Sequence, residues 1–168
     1  MALALWLASA TAGYAQAADE ILDRVLAVAA GDVILLSDVR AARDLGLVPA
    51  GDAADPDRVA LSALIDRALM LDEVNRYAPP EPAVAAVDVA FGRVTEHVGS
   101  LAALDAVLAR VGLDERQARQ ILRQDLRIRA YLDQRFSGDT PERVQQAIYE
   151  WTAGLRKRAD IVDLYARP

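Results

Sequence analysis

His97 is the only histidine in the chain and cysteine is absent, so the side chains most used for metal binding and nucleophilic catalysis are nearly missing. A metal centre or a catalytic triad built on His97 would need partners. The nearest carboxylate, Glu96, is its direct neighbour and points elsewhere on a helix. His97 is therefore read as a helix-end residue near the C-terminal dipole. No glycine-rich phosphate loop, G-x-S-x-G elbow or H-E-x-x-H zinc motif occurs. The expectation is a protein with no catalytic residue, no metal and no cofactor.

The charged residues form two other patterns. Arg116, Arg119, Arg123 and Arg127 share one helical face, and the surrounding segment could pass for a helix-turn-helix with its recognition helix. An arginine row opposite an apolar row is usually a solvated face. The chain also carries a net charge of −6, the wrong sign for phosphate contact, so nucleic acid is excluded as a partner. In the same segment Ala118, Ile121, Leu122, Ile128 and Leu132 make an apolar stripe, and Asp125 and Arg129 fall inside it four residues apart. Acid before base at that spacing is the favourable order. The pair is read as a partly buried structural ion pair, with a polar contact to a client backbone as the competing reading.

Binding without catalysis needs apolar and aromatic surface. The segment 56–77 places Leu61, Leu64, Ile65, Leu69, Met70, Leu71 and Val74 almost all round a helix, which makes it either the centre of the core or the wall of a groove. Burial is the default. Met70, Tyr77, Phe91 and Tyr131 are the candidate peptide-binding residues, because sequence-tolerant binding uses flexible apolar and aromatic side chains.

The elements that must position these residues follow from patterning. A chain of 168 residues that is 54% hydrophobic can build one compact domain. Residues 1–17 carry no charge, are apolar and small, and end in Ala15-Gln16-Ala17, the small-x-small pattern of an export signal. That run is too short to span a bilayer, so no stable membrane insertion is expected. In residues 18–168, two strands (25–29 and 33–36) flank a Gly31-Asp32 turn. Ser37 caps a short helix to about Leu45. Asp55 and Pro56 open a helix to about Tyr77, and a third spans about 83–97. Ser100 caps a fourth helix that Gly112 ends, and Asp114 with Gln117 opens a fifth to about Phe136. Thr140-Pro141 starts a sixth helix to about Arg158, and "ADIVDLY" reads as a closing strand. A hairpin alone is marginal in water, so the closing strand is expected to pair with it. The fold class is α+β, mainly α: a helical core to about 136, then a closing helix and strand over 140–165 that complete a small antiparallel sheet.

Four segments, "DRVLAVAAGDVILLSDV", "LIDRALMLDEVNRY", "RIRAYLDQRF" and "WTAGLRKRADIVDLY", resemble in this order the N-terminal domain of SurA-type periplasmic chaperones. The resemblance spans almost all of residues 18–168. Members of that peptidylprolyl-isomerase family usually carry parvulin domains between the helical core and the closing helix. Here Arg135-Phe136 runs through "SGDTPERV" straight into the closing helix, which leaves no room for one, and the paired histidines of parvulin chemistry are absent. The resemblance thus implies a periplasmic chaperone that binds unfolded outer-membrane or secreted polypeptides, without isomerase activity. The alternative is an assembly subunit that binds one fixed partner or a second copy of itself.

Overall fold

The hairpin turns at Ala30-Gly31 rather than at Gly31-Asp32. Both Ala30 (φ 53°) and Gly31 (φ 82°) are left-handed, as a two-residue hairpin loop demands of its central residues. Asp32 instead pairs with Ala29. The chain is described by a computed structural model over residues 23–48, 53–136 and 140–166. The expected export signal at 1–17 and the linker at 137–139 lie outside the described residues.

Strand β1 (Val25–Ala29) is central in the order β2-β1-β3, with β2 (Asp32–Leu35) on one side and β3 (Ile161–Asp163) on the other. Both pairings are antiparallel: Ala29 faces Asp32 and Ile161, and Val28 faces Val33 and Val162. The expected closure of the hairpin by the terminal strand is what the molecule shows. Leu26, Ala27, Ala29 and Ile34 point into the core. Val33 and Val162 lie on the solvent side, 53% and 44% exposed.

Helix α1 (Leu36–Asp44) begins one residue before Ser37, which lies in its first turn and is not the cap. The Asp38 carboxylate accepts from the Leu35 backbone N–H at 2.8 Å, and Asp23 accepts from the Ser37 N–H at 3.3 Å. Carboxylates from inside and outside the helix thus take up its unpaired donors. The other helices are α2 (Pro56–Tyr77), α3 (Val84–Val98), α4 (Leu101–Arg110), α5 (Glu115–Arg135) and α6 (Pro141–Arg158), of which α2, α4 and α5 start at a capping side chain. Asp55 accepts from Arg58 N–H, Ser100 from Ala103 N–H, and Asp114 and Gln117 exchange bonds as a capping box.

Helix α2 is the hub. Leu61, Ile65, Leu69, Leu71 and Val74 are buried, while Leu64 and Met70 are partly buried against the same core. Several of its polar residues reach out to neighbouring elements. Asp57 holds Arg43 of α1, Arg58 holds Asp163 of β3 at 2.6 Å, and Arg67 holds Asp125 of α5 at 2.6 Å. Asp66 and Ser62 hold Arg156 of α6, whose guanidinium donates to the Ser62 carbonyl at 2.7 Å and hydroxyl at 2.9 Å. These pairs are a quarter to a half exposed, so their role is to fix which face of α2 meets which neighbour more than to add large energies.

Candidate functional site

Three helix faces converge where α2 ends, α5 ends and α6 passes. Leu71 and Val74 from α2 meet Ile128 and Tyr131 from α5 in a small buried cluster, with Met70, Leu132 and Trp151 half-buried around it. An aromatic strip grows outward from this base. The Tyr131 ring centroid lies 5.4 Å from that of Tyr77 and 5.9 Å from that of Trp151, and Trp151 lies 6.0 Å from Phe136 in edge-on contact. Such tilted pairs are the favoured ring geometries. Tyr131 is 6% exposed and Tyr77 61%, so the strip runs from core to solvent.

Arg135 closes one side. Its guanidinium carbon lies 5.9 Å from the Tyr131 ring centroid, 5.7 Å from Phe136 and 5.8 Å from Trp151, and it donates to the Tyr131 hydroxyl at 3.3 Å. Burial pushes the Tyr131 hydroxyl above the usual phenol range; Arg135 opposes this, while Tyr77 and the Glu73 carboxylate add to it.

Met70, Tyr77 and Tyr131 lie together, but Tyr131 is buried and Met70 half-buried, so of the three Tyr77 alone is fully open to solvent. Phe91 is not among them. It is 7% exposed in a separate cluster with Leu45, Leu104, Leu108, Ala118 and Leu122, beneath the Arg119 guanidinium at 4.3 Å. Helix α3 packs on α4 and α5, so Phe91 is core. Trp151, Phe136 and Arg135 were missed by pattern reading. Nothing in the residues around Trp151 says that α6 returns to the end of α5; only the tertiary path does.

The ion pair within α5 also needs correction. Asp125 pairs with Arg67, not Arg129. Arg67 donates through Nε to Asp125 at 2.6 Å, and through Nη2 to the Gln124 side chain at 2.9 Å and the Ile121 carbonyl at 3.3 Å. Asp125 sits between Leu122 and Ile128 on the face toward α2, whereas Arg129 lies farther round and is exposed. Burial raises the Asp125 carboxyl above its usual range, against the lowering by Arg67 and the more distant Arg129 charge.

Two of the arginine row, Arg119 and Arg127, are intramolecular struts. Arg119 joins Glu115 at 2.7 Å and Asp88 at 2.6 Å, and Arg127 joins Glu81 at 3.4 Å and Asn75 at 3.0 Å. Arg116 projects into solvent at the rim of a shallow depression it shares with Gln117, Gln120 and Arg123. His97 lies in the last turn of α3, and its ring lies against Gly46, where an added Cβ would stand 2.5 Å from Nε2. Among the described residues no group of three potential metal ligands is gathered, and no helix is long and apolar enough to cross a membrane. Compared with known protein families and with curated proteins, the sequence matches none.

Proposed function

We propose that this protein is an exported, periplasmic holding domain for unfolded or extended outer-membrane or secreted polypeptides, working without ATP, metal or catalysis. The observation that carries this reading is the aromatic strip Tyr77–Tyr131–Trp151–Phe136 beside Met70. Its second ring, Tyr131, is anchored in the core, Trp151 and Phe136 are half-buried, and Tyr77 at one end is open to water, so that aromatic surface and a flexible methionine lie side by side for varied apolar segments. The resemblance of four segments to the SurA N-terminal domain supports the same reading, as does the leader-like stretch 1–17. The test is a peptide-array scan with the purified protein and with Tyr77→Ala. Binding of many unrelated apolar and aromatic segments, weakened by the substitution, is expected, together with suppressed aggregation of several unrelated unfolded proteins. Failure on every client sinks the reading. Export is tested separately by N-terminal sequencing from a Gram-negative host, where a start near Ala18 is expected.

A second reading rests on the outer face of the sheet, where Val25, Val33, Val162 and Leu164 are each more than a third exposed around the Val33–Val28–Val162 row. An ordered apolar sheet face suits an assembly subunit with one fixed partner or a second copy of itself. Light scattering across a concentration series separates self-association from a monomer.

A further inference from the structure

The aromatic strip holds a cation of its own. Arg135 is the last residue of α5, and its guanidinium carbon stands within cation–π range of Tyr131, Phe136 and Trp151 at once. Three further features give this cradle a negative bias. The C-terminal end of α5, where Arg135 sits, is the negative pole of that helix. The Glu73 carboxylate adds to the raising of the Tyr131 hydroxyl, and its 3.6 Å contact with Arg76 is long beside the 2.6 Å bond of Arg76 to Asp72. The whole chain is acidic at −6. Arg135 itself is solvent-exposed, so it can leave the rings by side-chain rotation alone.

We infer that the cradle of Tyr131, Phe136 and Trp151 is a site for a basic side chain of a bound polypeptide, and that Arg135 fills it from within until a client arginine or lysine displaces it. The inference rests on the reading of this surface as a polypeptide-holding site and adds a chemical class to it. A neutral apolar segment touches Tyr77 and Met70 with Arg135 in place. A segment that also carries a basic residue exchanges one guanidinium for another, so the net gain on the intact protein is small. Removing the internal occupant leaves the cradle vacant and turns that exchange into a gain.

The experiment uses two fluorescent extended apolar peptides that differ at one position, arginine in one and glutamine in the other. Binding is followed by anisotropy with the full chain, its Arg135→Ala and Arg135→Lys variants, and Arg135→Ala combined with Trp151→Leu. Arg135→Ala should bind the arginine peptide about fivefold more tightly than the unaltered protein, the size of a partly exposed cation–π contact. Affinity for the glutamine peptide should be unchanged. Arg135→Lys should behave like the unaltered protein, and Trp151→Leu should abolish the gain. Equal shifts for both peptides, or none, overturn the basic-residue site while leaving polypeptide binding intact. No binding of either peptide to any variant overturns both.

Discussion

Arg67 of α2 donates to Asp125 of α5 at 2.6 Å, and the bond joins helices whose partners lie 58 residues apart in sequence. It joins the two helices that carry Tyr77 and Tyr131. Arg67→Leu leaves the Asp125 carboxylate half-buried without a counter-charge, and should cost about 1–3 kcal/mol, less than a fully buried pair because both side chains keep some solvent. Replacing both residues by leucine should recover most of that loss. Arg129→Ala should change stability by less than about 0.5 kcal/mol, as for a surface site. Denaturant melts of the three variants decide it, and a large loss in Arg129→Ala would restore the pairing within α5.

Two aspartates should give pH dependences of opposite sign. Burial raises the Asp125 carboxyl, so the folded state holds its proton more tightly than the unfolded chain. The stability from this group is present below the ordinary aspartate range and is lost as pH rises through its raised value. For Asp163 burial alone would raise the carboxyl, but the Tyr165 N–H and the Arg58 guanidinium bring it below the usual range. Its contribution is present above the ordinary range and is lost as pH falls through its lowered value. Urea melts over a pH series should therefore show Asp125→Asn losing a component that declines toward neutrality, and Asp163→Asn losing one that declines in acid. Identical profiles for the two variants would contradict these environments.

The two tyrosines of the strip should separate cleanly. Tyr131→Ala removes a buried ring and should cost about 3–5 kcal/mol. Tyr77, mostly exposed, should cost less than about 1 kcal/mol as alanine. Thermal melts measure both, and comparable losses would mean that Tyr77 is structural rather than a contact ring.

Gly46 is left-handed at φ 66°, and its face is covered by the His97 ring. Gly46→Ala should therefore lose about 1–2 kcal/mol, from backbone strain and from displacement of the ring. His97→Ala in the same chain should return only the steric part. A double-mutant cycle by denaturant melts reads the two shares, and strict additivity would show that the ring does not matter.

Deleting the chain from Arg158 onward removes β3 together with the Arg58–Asp163 pair and the bond from the Tyr165 hydroxyl to Asp55. Hydrogen exchange should accelerate throughout 25–36. Unchanged protection would mean that the hairpin stands on α2 alone.

The elements were legible because their punctuation is local. Asp55-Pro56, Ser100, Asp114 with Gln117, and Thr140-Pro141 each mark a helix start within a residue or two. The start of α1 was misread because Asp23, fourteen residues before Ser37, shares the capping. The hairpin turn was displaced because an alanine, not an asparagine or aspartate, takes the first left-handed position. Partners of charged residues were the least legible part. Asp125 has an arginine at the favourable helical spacing, yet α2 offers Arg67 across the seam. The same limit hid Trp151 and Arg135 from the aromatic site.

The pairing of Ala29 with Ile161 also sets an order of events for a chain made from its N-terminus. The central strand is made before the helices, but one of its edges stays open until α1 to α6 have been made and β3 follows. Contacts of such long range slow folding, because loop closure comes before any reward. During that interval β1 offers bare backbone and the apolar residues of an unfinished sheet. A protein proposed to shelter unfinished chains would itself need shelter until β3 arrives.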